Sequence, residues 1–304
     1  MKKLFIVGLG SLTGHTIANM AKNEFNISGT YNLRNPNFDF AETEKINIKN
    51  FSLLENKIKK EFPDYIINTS ALNNVDYCEQ NFDEALTINS KFVKSLAELS
   101  DRLDIPLAQI STDSIFDGTK NSPYDEDDHP NPINNYGKSK LLGEQSVSKY
   151  DQNLIIRVSV LYGWLSNHLA VQESSSLKQF NFGHWLILKL KANEPVKIIT
   201  DEISTPILVD DLANSILHLI KSNHQGIYHS APSFSFNRYD FSVKLADYLG
   251  LNSKLISPTI NAELGRNVQT AKNKCLNSTK LMNTGFDFLS LDESFSLLKQ
   301  QINL

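Results

Sequence analysis

A glycine-rich turn separates the first apolar run of the chain from its first helical pattern. Residues 3–7 are predicted as a β-strand, and residues 8–14 read Gly-Leu-Gly-Ser-Leu-Thr-Gly. Two glycine patterns of dinucleotide-binding turns fit in part, because one would need glycine at Thr13 and the other at Ser11. Gly8 and Gly14 suit the second pattern, and serine is small. A helix that begins here would offer free amides to a pyrophosphate. We therefore predict a dinucleotide site, with an ordinary strand–helix turn as the alternative.

Short β-rich runs alternate with helical patterns through the first half of the chain. The predicted strands cover residues 3–7, 26–31, 65–68, 107–111 and 154–158. The predicted helices lie near residues 14–23, 51–61, 84–103 and 136–150. Adjacent apolar residues such as Ile66 and Ile67 are typical of strands that helices cover on both faces. The alternation predicts an α/β fold with a Rossmann-like doubly wound parallel sheet.

The second half of the chain is less regular after about residue 163. Its predicted elements are helices over 182–192, 210–220 and 238–249 and a short strand over 226–229. We interpret residues 1–163 as a dinucleotide-binding domain and residues 164–304 as mainly a smaller, mixed substrate-binding domain that carries the 226–229 strand. Segments near 198–222 are expected to return to the first domain.

Composition and charge argue against several classes of function. The 304 residues carry a net charge of −4 with both signs interspersed and no basic stripe, which argues against nucleic acid as a partner. No apolar run is long enough for a membrane span and no secretory leader is recognised, so a cytoplasmic location is expected. Cys78 and Cys275 are interpreted as reduced thiols. Seven scattered histidines lack metal-ligand spacing, so no metal is predicted.

Tyr136 and Lys140 stand four residues apart at the start of a predicted helix. At this spacing two side chains lie one above the other on the same helix face. An ammonium group held there would favour the tyrosinate and lower the pKa of the phenol towards neutral pH. Such a phenol can give a proton to a carbonyl oxygen while a hydride arrives at the carbon.

The residues after the second predicted strand bear on the choice of cofactor. No acidic residue stands at the tip of this strand, where NAD-preferring sites usually place a carboxylate for the ribose 2′-hydroxyl. Arg34 lies close by as a partner for a 2′-phosphate, and a solvated loop arginine is the alternative. We therefore predict NADP, with NAD as the second option.

Ser111 and Thr112 stand at the end of a predicted strand, where a doubly wound fold gathers its chemistry. A hydroxyl from either residue can reach the carbonyl oxygen that Tyr136 would protonate. Local hydrogen bonding is the ordinary role of such a pair. The glycine-rich turn upstream and the Tyr-x-x-x-Lys pair downstream favour a catalytic role instead.

Together these motifs resemble the extended short-chain dehydrogenase/reductase superfamily and, within it, the dTDP-4-dehydrorhamnose reductase family. The likeness runs over most of the chain and is densest from residue 64 to 163. The residues that carry it are Asn68-Thr69-Ser70-Ala71, Val75-Asp76, Glu79, Asn89, Ser111-Thr112-Asp113, Phe116, Gly118, Pro130-Asn131-Pro132, Tyr136-Gly137-Lys138-Ser139-Lys140, Gly143-Glu144, Arg157-Val158-Ser159 and Tyr162-Gly163.

The resemblance implies a role for each matching residue. Tyr136 would donate the proton, Thr112 would hydrogen-bond the substrate oxygen, and Lys140 would tune the phenol and hold the nicotinamide ribose. With Tyr136 and Lys140, the predicted cofactor-binding set is Gly8, Gly10, Ser11, Leu12, Gly14, Arg34, Ser70 and Ala71. The predicted substrate-binding set is Val75, Asp76, Asp113, Ser114 and Lys272.

Besides Ser11, which replaces the central glycine of the turn, three places depart from the family pattern. Ser114 stands where the reductases usually carry a tyrosine next to the sugar. Thr16 stands where some bacterial members have a glutamate tied to a metal-bridged dimer, so magnesium is not inferred. Ala271-Lys272-Asn273 falls where an Arg-Pro pair is typical, and Lys272 would supply only a point charge in place of the arginine fork.

Three functions are consistent with these motifs. The first is NADPH-dependent reduction of the 4-keto group of a nucleotide-activated deoxysugar, as in dTDP-L-rhamnose synthesis. The second is a non-catalytic NADP-binding regulatory subunit, because the β subunit of methionine adenosyltransferase resembles the same reductases. The third is a nucleotide-sugar epimerase or dehydratase. The predicted partner is a nucleotide-sugar, and a homodimer is an open alternative to a monomer.

Overall fold

A computed structural model describes residues 1–175, 177–266 and 268–303. In chain order its strands are Lys2–Val7 (β1), Phe25–Tyr31 (β2), Ala41–Lys45 (β3), Tyr65–Asn68 (β4), Leu107–Thr112 (β5), Leu154–Val158 (β6), Leu161–Tyr162 (β7), Val196–Ile199 (β8), Ile203–Ser204 (β9), Ile207–Leu208 (β10), Gly226–Ser230 (β11), Phe236–Asn237 (β12) and Ile256–Thr259 (β13). Its α-helices are Leu12–Ala21 (α1), Phe51–Glu61 (α2), Val75–Gln80 (α3), Phe82–Leu86 (α4), Phe92–Leu103 (α5), Asn135–Val147 (α6), Asn167–Ala170 (α7), Phe182–Lys191 (α8), Val209–Lys221 (α9), Arg238–Leu249 (α10), Thr279–Met282 (α11) and Leu291–Gln301 (α12).

A seven-stranded parallel sheet forms the centre of the described chain. Its strand order is β11-β6-β5-β4-β1-β2-β3, and the order turns between β1 and β4. This is the doubly wound arrangement that the alternation predicts, and the predicted fold class is confirmed. In such sheets ligands bind at the carboxyl edge of the strands, at the point where the order reverses.

Helices cover both faces of the sheet, which explains why its inner strands carry consecutive apolar residues. In β1, Leu4 and Ile6 pack in a core cluster with residues of α1 and α9. Phe5 and Val7 face the opposite cluster, with residues of α2 and α5. All four side chains are fully buried. Burial of each one contributes about 1.5–3 kcal/mol to folding.

Two strands of the sheet differ from the sequence-based expectation. The sequence patterns did not predict β3, because its residues, Ala-Glu-Thr-Glu-Lys, are charged and mostly exposed, as is common on an edge strand. The assignment of the strand near 226–229 to the second domain was wrong. β11 pairs in parallel with β6, with Ile227 opposite Ile155, and therefore lies in the central sheet.

A π-helical turn, Thr87–Lys91, interrupts the single helix expected over 84–103. It contains Asn89, which is buried and bonds to both polar groups of the Leu72 backbone at 2.9 and 3.0 Å. The Asn89 amide also donates to the Ser139 hydroxyl at 3.0 Å. The turn thus ties a loop after β4 to α6, the helix that carries Tyr136. π-Turns of this kind often occur beside functional sites.

The remaining elements pack beside the carboxyl edge of the sheet. Residues of α8, α10, α12, β8 and β13 share one apolar cluster. The helix α9 instead contacts α1 beneath the sheet. The domain boundary near residue 163 stays a prediction. Every described helix is too short or too polar to cross a bilayer.

Candidate active site

A cleft of about 760 Å³ opens at the carboxyl edge of the central sheet. It is lined by the turn after β1, the loop after β4, the end of β5, the start of α6 and several residues from beyond position 170. The cleft brings together most of the predicted site residues: Gly8, Gly10, Ser11, Leu12, Arg34, Ser70, Ala71, Val75, Asp76, Thr112, Asp113, Ser114, Tyr136 and Lys140. Gly14 and Lys272 do not line it.

The turn after β1 is shaped by its serine and by close backbone packing. Ser11 caps α1, because its Oγ accepts from the Gly14 amide at 2.9 Å. The same hydroxyl lies 3.0 Å from that of Thr69. A Cβ on Gly14 would lie 2.4 Å from the Gly8 carbonyl oxygen, and one on Gly10 would lie 2.0 Å from that of Arg34. Glycine is therefore needed at position 14 for close packing within the turn, although Gly14 does not line the cleft.

The first amides of α1 are suited to hold an anion. The amides of Leu12 and Thr13 occupy the first two helical positions, which have no acceptor within the helix. The next two amides, of Gly14 and His15, are already bonded to Ser11. Two free amides at the positive end of a helix dipole fit a pyrophosphate. The residues present thus fit a dinucleotide cofactor.

Local contacts fix the start of α6, the helix that carries Tyr136. Asn134 caps it, since its Oδ1 accepts from the Gly137 amide at 2.9 Å. A Cβ on Gly137 would lie 2.1 Å from the Ser114 carbonyl oxygen, so glycine lets the helix lie against the end of β5. A buried ion pair between Arg157 and Glu144, at 2.9 Å, fixes the helix further along. These contacts hold the start of α6 in place, where Tyr136 lies next to Thr112.

The phenol of Tyr136 is buried in the wall of the cleft. It packs with Leu72, Cys78 and Ala85. Burial raises the pKa of Tyr136, and a hydrogen bond with Thr112 acts in the opposite direction. The expected lowering of this pKa by Lys140 is not what the structure shows, because burial dominates. A raised pKa keeps the phenol protonated at neutral pH, as a proton donor requires.

Lys140 is also buried, and its ammonium donates to the Ile110 carbonyl at 2.7 Å. Burial lowers the pKa of Lys140 to about 8, although the charge of Glu144 acts to raise it. The ammonium is thus bonded to the backbone beneath the cleft. Its role in holding a nicotinamide ribose stays a prediction.

Arg34 lines the cleft and also forms hydrogen bonds with the segment that follows α7. Its guanidinium donates to the carbonyls of Gln172 at 3.3 Å and Gln179 at 2.5 Å. These bonds tie the loop after β2 to the segment that follows α7. Recognition of a 2′-phosphate by Arg34 stays a prediction, and the solvated-arginine alternative does not hold for a side chain bonded in this way.

The substrate end of the cleft contains charged residues that the sequence patterns did not identify. Arg266 forms an ion pair with Asp76 at 3.1 Å, and Lys274 forms one with Glu202 at 3.1 Å. Arg238 also lines the cleft and lies over the ring of Phe182 at 5.1 Å. Asp76 belongs to the predicted substrate-binding set, but no local motif marks its partner Arg266, which lies 190 positions away.

The structure places Lys272 outside the cleft that contains most of the other predicted site residues. Its side chain is exposed, and its carbonyl accepts from the Ile203 amide at 2.7 Å. Lys274, two residues later, is the lysine that turns inward, because the buried carboxylate of Glu202 is its partner. Burial raises the pKa of Glu202, but the charges of Lys274 and Arg238 outweigh it and lower this pKa to about 2.

The fold and the site together define an NAD(P)-dependent oxidoreductase of the extended short-chain dehydrogenase/reductase class. A glycine-rich turn, a buried tyrosine and a lysine one helical turn further on line one cleft. The chain belongs to the family of the RmlD substrate binding domain, whose model matches residues 2–296.

Relatives of known name cover nearly the whole chain. A probable low-salt glycan biosynthesis reductase of Haloferax volcanii is 30% identical over 274 residues, which are 90% of this chain and 88% of the relative. Methionine adenosyltransferase 2 subunit beta of Xenopus tropicalis is 27% identical over 87% of this chain and 77% of its own. A solved dTDP-4-dehydrorhamnose reductase of Bacillus anthracis, in complex with NADP, is 27% identical with a TM-score of 0.82 and covers 98% of each chain.

Proposed function

We propose that this protein uses NADPH to reduce the 4-keto group of a dTDP-activated deoxysugar, as dTDP-4-dehydrorhamnose reductases do in dTDP-L-rhamnose synthesis. The observation that carries the proposal is the position of Tyr136. Its buried phenol lies beside Thr112, in the same cleft as the phosphate-binding turn. The names of the solved relative and of the family support the same substrate class.

The chemistry needs a hydride for the carbon and a proton for the oxygen. A nicotinamide bound in the cleft would supply the hydride to C4 of the sugar. Tyr136 donates its hydroxyl proton to the 4-keto oxygen, which becomes an alcohol. Burial, which raises the pKa of Tyr136, holds that proton on the phenol until the carbonyl arrives.

Arg238 is suited to bind the diphosphate of a nucleotide-sugar. Its guanidinium makes no hydrogen bond or ion pair with any described residue, whereas Arg266 and Lys274 already have carboxylate partners. Burial lowers the pKa of Arg238, although the charge of Glu202 raises it. A buried cation without a hydrogen-bonded partner is costly, and a phosphate oxygen is a fitting partner for a guanidinium.

Arg34 and the relative's cofactor favour NADP, with NAD as the second option. The first two amides of α1 would take the pyrophosphate, and Ser70 and Ala71 would lie against the cofactor from the loop after β4. The proposal includes a cytoplasmic location and a protein that acts alone or as a homodimer.

Turnover is tested by mixing purified protein with NADPH and dTDP-4-dehydrorhamnose, with an epimerase added if needed. We expect NADPH consumption, and a fall of about 100-fold or more in kcat for Tyr136→Phe, since that variant keeps the ring but lacks the proton. Consumption no higher than that of Tyr136→Phe would rule out this substrate.

The match to the methionine adenosyltransferase subunit favours a second candidate, a non-catalytic NADP-binding regulatory subunit. A pull-down that recovers a synthetase in a stoichiometric complex, together with NADP binding but no turnover, would support this candidate. Turnover with a keto-sugar that is lost in Tyr136→Phe would exclude it.

A further inference from the structure

Asp113 has a buried carboxylate, and among the residues that the structure describes only hydroxyl groups donate hydrogen bonds to it. It follows Thr112 directly at the end of β5 and is 4% exposed. Its Oδ2 accepts from the Ser159 hydroxyl at 2.8 Å. Its Oδ1 accepts from the hydroxyls of Thr112 at 3.2 Å and Ser114 at 3.1 Å. Three side chains thus direct their hydrogens at one carboxylate beneath the catalytic centre.

The carboxylate determines which way the Thr112 hydroxyl points. An ionised carboxylate only accepts, and a threonine hydroxyl has one hydrogen to donate and two lone pairs. While that hydrogen is directed at Asp113, the Thr112 oxygen can only accept from other neighbours. It accepts from the Ser114 amide at 3.2 Å, and the Tyr136 hydroxyl lies beside it.

We propose that Asp113 is a positioning residue that acts through Thr112, by fixing the direction of the Thr112 hydroxyl beside Tyr136. This role goes beyond the contact with substrate expected for Asp113, and its kinetic consequence rests on the proposed reductase function. In the resting site the Thr112 hydrogen has a defined partner in the Asp113 carboxylate. A carbonyl oxygen that enters then competes with Asp113 for that hydrogen.

Ser114 gains a role in the same arrangement. Its hydroxyl shares Oδ1 of Asp113 with that of Thr112, and its amide donates to the Thr112 oxygen. The Thr112 hydroxyl can therefore turn to a substrate oxygen without leaving Oδ1 unpaired. This contact accounts for serine at the position where the resembling reductases usually carry tyrosine.

The test is a double-mutant cycle between Asp113→Asn and Thr112→Val. The carboxamide keeps the shape of the aspartate but replaces one acceptor with a donor, and valine removes the hydroxyl that Asp113 would orient. We expect Asp113→Asn to lower kcat with KM for NADPH unchanged. In the Thr112→Val background it should lower kcat no further, so the two changes are non-additive by about threefold or more.

Two further variants serve as controls for the cycle. Thr112→Ser keeps the hydroxyl, so Asp113→Asn should lower kcat in that background as it does in the wild type. Asp117→Asn, on the same loop, removes a carboxylate that bonds Thr119, Tyr124 and Asn131 but not Thr112. Its effect should add independently to that of Thr112→Val.

Two results would overturn the proposal. The first is strictly multiplicative effects of Asp113→Asn and Thr112→Val on kcat. The second is an equal rise in KM for the dTDP-sugar in both backgrounds, which would place Asp113 directly on the sugar. The same cycle is also measured by urea unfolding without substrate, where coupling of about threefold or more in the unfolding constant is expected. Coupling there with no turnover by the wild type would contradict the proposed function but not the orientation of Thr112.

Discussion

The two ends of the cleft are built in different ways. The cofactor end consists of backbone amides, glycines and hydroxyls from short segments that follow β1, β4 and β5. The substrate end consists of charged side chains from segments far apart in the chain, such as Asp76 with Arg266 and Glu202 with Lys274. Backbone geometry therefore forms the first end, and the pairing of buried charges forms the second.

The difference is clearest in two buried lysines. Lys140, near the cofactor end, has a backbone carbonyl as its hydrogen-bond partner, and burial lowers its pKa to about 8. Lys274, at the substrate end, has the carboxylate of Glu202, whose pKa lies near 2 despite the burial that raises it. A buried charge therefore opposes folding at the first end, whereas at the second end the pair supports it.

Glu202→Gln should give the largest effect on stability. The change leaves Lys274 buried without its carboxylate, so we expect the free energy of unfolding at pH 7 to fall by about 3–5 kcal/mol. Because the pKa of Glu202 is lower in the folded state, its contribution is complete above its unfolded value and is lost as pH falls towards 2. Urea unfolding between pH 7 and pH 3 measures this loss. A difference between variant and wild type that does not shrink on acidification would contradict the account.

Lys140→Met should change the free energy of unfolding in the opposite direction and stabilise the protein at pH 7. Burial lowers the pKa of Lys140, so the cost of its charge is complete below pH 8 and disappears as pH rises towards 10.5. We expect the variant to be more stable than the wild type at pH 7, by up to about 3 kcal/mol, and to lose most of this advantage at pH 10. The Ile110 carbonyl is not left unpaired in the variant, because the side-chain amide of Gln109 also donates to it at 2.7 Å. An advantage that is equal at both pH values would show that the buried charge is not its cause.

Arg238→Leu should separate the two ends by kinetics. Loss of a charged hydrogen bond to a diphosphate corresponds to about 1.5–3 kcal/mol, or roughly 10- to 150-fold in KM for the dTDP-sugar. KM for NADPH should stay the same. Arg238→Lys is the matched control and should recover part of the loss, because it restores the charge without the fork. An equal rise in the KM values for the dTDP-sugar and for NADPH would contradict a specific role of Arg238 in binding the sugar nucleotide.

Gly10→Ala should disturb the cofactor end by a smaller amount. The added Cβ would lie 2.0 Å from the Arg34 carbonyl oxygen, so the loop after β2 has to shift, at about 1–3 kcal/mol. We expect weaker NADPH binding by calorimetry. Gly250→Ala is the control, since its φ of +70° strains the backbone but no atom lies within 4 Å of its Cβ. The control should lower stability and leave NADPH binding unchanged, and weaker binding in both variants would refute the local explanation.

Features of the site that depend on residues close together in the chain could be predicted from the sequence. Tyr136 and Lys140 lie on one helix, and the turn over 8–14 follows one strand, so both were found from local spacing. β3 was missed because its pattern of charges is that of an exposed loop as much as of an edge strand.

What the sequence could not predict depends on partners that only the fold brings close. The sequence alone does not distinguish Lys272 from Lys274. Only the fold shows that Lys274 pairs with the buried Glu202, which lies 72 positions before it. The direction of the Tyr136 pKa likewise depends on burial against Leu72 and Cys78, which the spacing to Lys140 does not reveal.

The most direct test of the central claim follows the hydride itself. NADPH that carries deuterium at the transferred position of its nicotinamide is incubated with the protein and dTDP-4-dehydrorhamnose, and the sugar product is analysed by mass spectrometry and NMR. We expect one deuterium at C4 of the product, and none in the Tyr136→Phe reaction over the same time. A product without deuterium at C4, or NADPH left unconsumed by the wild type, would contradict the account.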